Sequence, residues 1–218
     1  LTLKAKDDYK SVLQCGRSMI EMLGVLAIIA VLSVGGIAGY SKAMERYKFI
    51  KLRDAWTEVF YNFIQIKNDL NNQEIGGWAT ETNYVYTMKS LNMLPSEFKY
   101  VRGNAFKDSY GFGVTVYSSG NKGSRAFGFF YWLGFDSASP KVCQAFMEAA
   151  LNFKDNVRKI WREPLAGDIK MYSVWGNRYC SKGLRCMNDM NFNDMNELCS
   201  AYKGKDPSKY RYAVQVGF

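Results

Sequence analysis

The sequence predicts an α+β fold, with one long N-terminal helix packed on an antiparallel sheet. The helix is membrane-spanning in its first half and amphipathic in its second. Met19 to Tyr40 forms an apolar block with one charge, Glu21. Apolar residues then recur at three- and four-residue steps as far as Leu70, the period of a helix with one buried face. Beyond Trp78 the chain breaks into short β-rich runs separated by turn-rich stretches, with one short helical pattern among them. A one-sided helix must bury its stripe, and antiparallel strands with one apolar face supply the layer for it.

The apolar block covers about 22 residues, or roughly 33 Å of helix at 1.5 Å per residue, enough to cross a hydrocarbon core. A secretory signal would end in a small-x-small site after a shorter run. Here the apolar run passes directly into Tyr47, Leu52, Trp56, Val59, Phe60, Phe63, Ile64 and Leu70. Lys48, Lys51, Arg53, Asp54, Glu58 and Asn62 lie between these and are assigned to the water side. No proline interrupts the chain from Arg17 to Leu70. The reading is therefore one helix of about fifty residues, ended by the Asn71-Asn72 to Gly76-Gly77 stretch. A carboxylate inside a span costs several kcal/mol, so Glu21 reads as functional and in need of a partner. A position at headgroup level is the plainer alternative.

The 218 residues suffice for one core with an appendage, or two small domains. The formal charge of +9 and pI near 9.2 invite an anionic partner. The cations are scattered, however, without a nucleic-acid fold signature, and no nucleic-acid partner is expected. The sequence holds no histidine, which removes the usual proton shuttle and the commonest metal ligand. With no nucleophile or phosphate-loop motif either, no enzyme, catalytic residue or cofactor is expected.

Gly16-Arg17-Ser18-Met19-Ile20-Glu21, followed by Met22-Leu23-Gly24-Val25-Leu26-Ala27-Ile28-Ile29-Ala30-Val31-Leu32, resembles the prepilin signature of type IV pilins and type II secretion pseudopilins. In that family the chain is cut after a glycine, and the fifth mature residue is a glutamate that opens an apolar helix. The resemblance implies cleavage after Gly16, a new N-terminus at Arg17, and Glu21 as the fifth residue. Arg17 stands where the family usually has phenylalanine or methionine. It implies four segments: a cytoplasmic leader over 1–16, a membrane and filament-core half-helix over 17–41, an amphipathic half over 42–72, and an exported domain over 73–218. Leu1 in place of an initiator methionine fits a leader longer than residues 1–16.

The implied product is a major or minor pilin that sits in the inner membrane with a cytoplasmic N-terminus, and then polymerises through this helix into an extracellular pilus. Its partners would be other pilin subunits, a prepilin peptidase and an inner-membrane assembly platform. A pseudopilin, a non-polymerising single-pass protein with an exported binding domain, and a DNA-capturing minor pilin are the alternatives. In the implied mechanism the α-amine of Arg17 meets Glu21 of a neighbouring subunit. Gly35-x-x-x-Gly39 is a small-residue spacing that lets helices approach closely, although glycine is also simply frequent in membrane helices. The family often breaks its helix with a proline near here, and this chain has none. Lys4, Lys6, Lys10 and Arg17 precede the span, and Lys42, Arg46, Lys48, Lys51 and Arg53 follow it. Charge bias therefore does not favour a cytoplasmic N-terminus, and the orientation rests on the resemblance.

In the C-terminal domain, Val114–Tyr117 and Ala126–Leu133 read as strands joined by the turn-rich Ser118–Ser124. Pro140 opens a helix through Phe153, with Val142, Phe146, Ala149 and Ala150 on one face. Asp168–Trp175 and Tyr210–Val216 are further strand candidates. The order of these elements is also similar to type IVb pilin globular domains. Five cysteines are present. If Cys15 leaves with the leader, Cys143, Cys180, Cys186 and Cys199 remain, and four cysteines allow three pairings. The resemblance favours Cys143–Cys199, which leaves Cys180–Cys186 as a local loop. A zinc site lacks the expected close cysteine pairs, and a buried free thiol at Cys143 is the remaining alternative. The aromatic run Phe127–Trp132 is too dense for one face and is assigned to core or subunit contacts.

Overall fold

A computed structural model describes residues 19–72, 84–101, 105–119, 126–133, 138–166, 171–200 and 211–218. Helix α1 runs unbroken from Met19 to Asn72, as the proline-free amphipathic pattern predicts. The chain divides into two units between Glu45 and Arg46.

The second unit is built on α2 (Tyr84–Ser90), α3 (Ser139–Leu151) and α4 (Phe192–Cys199), with strands β1 (Lys99–Val101), β2 (Ala105–Lys107), β3 (Gly113–Ser119), β4 (Ala126–Leu133), β5 (Lys159–Ala166), β6 (Tyr172–Trp175) and β7 (Arg211–Gly217). The strands form one seven-stranded sheet in the order β1-β2-β3-β4-β7-β5-β6. Every pair in it is antiparallel. The class is α+β, with a long helix on an antiparallel sheet.

Leu52, Ala55, Trp56, Val59, Phe60, Phe63 and Leu70 are the buried face of α1 in this unit. Trp56 lies 4.6 Å from Phe146 of α3, 5.1 Å from Tyr131 of β4 and 4.8 Å from Phe98, centre to centre. Tilted and edge-on rings of this kind add to area burial. Two assignments on this helix are corrected. Tyr47, placed on the apolar stripe, is 54% exposed, because it precedes the stretch that reaches the sheet. Asn62, placed on the water side, is half-buried and donates to the Met93 carbonyl at 3.4 Å.

The predicted hairpin forms, with Val114 opposite Tyr131 and Val116 opposite Phe129. Phe127, Phe129 and Tyr131 face the core, whereas Phe130 and Trp132 stack on the other face with ring centres 4.4 Å apart. Pro140 lies in the first turn of α3, whose Val142, Phe146, Ala149 and Ala150 are buried. β6 covers the second half of Asp168–Trp175, and residues 168–170 lie outside the described residues. β5 carries charges and a proline and was not anticipated. Its ladder with β6 ends at Arg162, so Pro164 faces no β6 partner that needs its missing N–H. The β5–β7 register shifts between Pro164 and Ala166.

Disulfides join Cys143 of α3 to Cys199 of α4, and Cys180 to Cys186. α4 begins in a capping box: Asn191 accepts from the Asn193 and Asp194 N–H groups, and Asp194 accepts from Asn191 N–H. Its last carbonyls, on Glu197 and Leu198, receive the guanidinium of Arg162, a core-facing residue of β5. A positive group at a helix C-terminus is favourable both as donor and against the dipole.

Candidate functional site

Leu, Met, Ala, Ile and Val dominate the described part of the first unit, Met19–Glu45. Its backbone hydrogen bonds close within the helix, so it needs no partner to satisfy polar main-chain groups. Every residue from Met19 to Ala43 is exposed. These include Ile20 at 80%, Val31 at 73% and Val34 at 70%. This part of α1 is long and apolar enough to cross a membrane. Apolar surface on this scale exceeds what a free monomer leaves in water.

Glu21 lies in the first described turn of α1, as its sole acid. Gly16 and Arg17, the predicted cleavage pair, lie outside the described residues. Gly35 and Gly39 are one turn apart on one helix face. Among the described residues a Cβ at either, or at Gly24 or Gly36, would meet no atom within 4 Å, so no described neighbour in the first unit requires glycine there. From Glu21 to Gly39 the helix rises about 27 Å at 1.5 Å per residue. The charge and the small residues therefore mark opposite ends of the apolar segment.

The four remaining cysteines lie in the second unit, far along the chain from this helix. Sequence reasoning did not find the grouping of Tyr117, Arg158, Lys159, Trp161 and Trp175 on the sheet. Four of them come from three strands and Arg158 immediately precedes β5, and only the strand order β3-β4-β7-β5-β6 gathers them. The signal available was a period-two alternation in Lys159-Ile160-Trp161, which the following charges and Pro164 obscured.

No protein-family profile, curated protein or solved structure matches this chain. The functional reading therefore rests on these residues and their surroundings.

Proposed function

We propose that this chain is a structural subunit of a type IV pilus or a pilus-like filament, polymerising through its N-terminal helix. The observation that carries the reading is one unbroken helix, Met19–Asn72, apolar and exposed over its first half and buried on one face over its second. A plain membrane anchor has no need to be continuous with a core helix. A subunit that leaves the bilayer for a helical bundle needs an apolar surface suited to both settings.

In this reading a prepilin peptidase cuts after Gly16, and the new amine of Arg17 pairs with Glu21 of the adjacent subunit. Each charge is tolerable in an apolar bundle only when paired. A shifted register strands both, at about 3–5 kcal/mol per broken pair, and so selects one axial stagger. Gly35 and Gly39 let a neighbouring helix approach closely. The subunit waits in the inner membrane, N-terminus inside, until an assembly platform takes it into an extracellular filament.

The test is the N-terminal mass of the protein recovered from its own membranes. A product beginning at Arg17, with or without a methyl group, supports polymerisation. An intact leader retaining Cys15 favours a single-pass protein with an exported binding domain.

A further inference from the structure

The outer face of the sheet carries a row with one residue from each of five neighbouring strands. Tyr117, Gly128, Gly217, Lys159 and Trp175 are successive cross-strand partners. In the next row on that face, Phe130, Gln215 and Trp161 follow one another. The two glycines make room for rings. A Cβ on Gly128 would lie 2.3 Å from the Tyr117 ring, and one on Gly217 would lie 3.1 Å from the Trp161 indole. Both rings therefore lean over the backbone. Lys159 Nζ stands 4.9 Å from the Trp161 ring centre and 5.3 Å from that of Trp175. Between these groups, Arg158 and Phe218 lies a cleft of about 270 Å³.

The lining combines π faces with hydrogen-bond donors. Arginine, lysine and indole side chains carry N–H donors and no acceptor. The Tyr117 hydroxyl proton is already given to Gln215 Oε1, at 2.7 Å. Among the described residues neither Arg158 nor Lys159 forms an ion pair. Glu163, the nearby carboxylate, accepts from the Gln215 amide. Partial burial and then the Arg158 charge lower the Lys159 pKa, and a bound anion would relieve the second effect. Such a lining matches a ligand that brings anionic acceptors and flat rings. Phosphate oxygens accept only, and a stacked base needs only a π face. A sugar ring, whose hydroxyls both donate and accept, would find one side-chain acceptor in this lining, the Tyr117 oxygen, against several N–H donors.

We propose that this cleft binds a nucleotide unit of a single-stranded nucleic acid, with a phosphate on Arg158 and Lys159 and a base against Trp161 or Trp175. The site needs no sequence preference, since every base has a π face. The formal charge of +9 adds long-range attraction. All these residues belong to the second unit, so the proposal stands whether or not the chain polymerises.

The experiment measures fluorescence anisotropy of a labelled 15-mer of thymidylate with the full chain in a zwitterionic detergent. Trp175→Ala is expected to weaken binding by about fivefold or more, the range for loss of one stacked base, and Trp175→Phe to retain most of it. Arg158→Gln changes an exposed side chain and is expected to reduce the slope of log K against log salt by about 0.7, one single-strand phosphate contact. Thymidine monophosphate binding with the same sensitivity to both variants would support the site with free nucleotide as its source. Affinity unchanged in both variants would overturn the proposal. So would duplex DNA binding as tightly as the single strand and ignoring Trp175, or a polygalacturonate oligomer binding where the oligonucleotide does not.

Discussion

The hydroxyl of Tyr131 donates to the carboxylate of Asp108 inside the sheet–helix core. Asp108 is 5% exposed and Tyr131 fully buried. The other carboxylate oxygen accepts from the N–H groups of Tyr110 and Phe112, at 3.0 and 2.8 Å. One side chain thus closes the turn between β2 and β3 and anchors the centre of β4. Gly111, with φ of +89°, lets the turn take its left-handed step.

Burial dominates at Asp108 and raises its pKa despite these hydrogen bonds. The folded state therefore holds the proton more tightly than the unfolded chain. The resulting stabilisation is complete below the ordinary aspartate value near 4 and is lost as pH rises through the raised folded value. Asp108→Asn keeps acceptors for the two N–H groups and removes the titration. The stability of the native chain minus that of Asp108→Asn should fall as pH rises across this window, read by thermal unfolding at successive pH values. A difference independent of pH would refute the assignment.

Trp56 has six aromatic neighbours: Phe60, Phe98, Phe106, Phe129, Tyr131 and Phe146. Trp56→Ala should cost about 3–5 kcal/mol, the range for emptying a large core site. Tyr47→Ala, on the exposed part of the same helix, should cost less than about 0.5 kcal/mol. Denaturation of the two variants side by side measures the contrast.

The Cys143–Cys199 bond spans 56 positions and Cys180–Cys186 spans 6. Loop-closure entropy assigns them about 4 and about 2 kcal/mol. Replacing each pair by serine should reproduce that order in unfolding midpoints. The larger loss belongs to the bond that ties α3 to α4.

Gly176 and Gly183 should respond oppositely to what their dihedrals suggest. A Cβ at Gly176 would sit 1.7 Å from the Val157 carbonyl oxygen, against backbone that cannot swing away. Gly183 has φ of +88° but open space around it. Gly176→Ala is expected to cost about 3 kcal/mol or more by overpacking, and Gly183→Ala about 1–2 kcal/mol of backbone strain. Comparable melting temperatures for the two variants would contradict the steric account.

Glu21→Ala removes the charge expected to register neighbouring subunits. Membrane insertion should persist, because the apolar span is untouched. Incorporation into sheared filaments should fall sharply, while Glu58→Ala, on the exposed face of α1, should leave it unchanged. Normal filament yield from Glu21→Ala would count against charge pairing as the register device.

Local features of this chain were legible from residue order alone. They include the long helix, its change from all-round apolar to one-sided, the β3–β4 hairpin, and α3 with its opening proline. Each depends on periodicity or turn chemistry within a few residues, which neighbouring side chains impose directly. The apolar helix with Glu21 and the glycines was legible for the same reason. Tertiary structure decided where β7 goes: it inserts between β4 and β5, far from both in sequence, because its alternating residues are buried on both faces. β5 was hidden because its core-facing position 162 holds an arginine, whose guanidinium is satisfied there by the last carbonyls of α4 and the Tyr172 ring. The grouping of Tyr117, Lys159, Trp161 and Trp175 follows from that insertion. Strand order is set by which faces can be buried together across the whole sheet, and no local window of sequence contains that information.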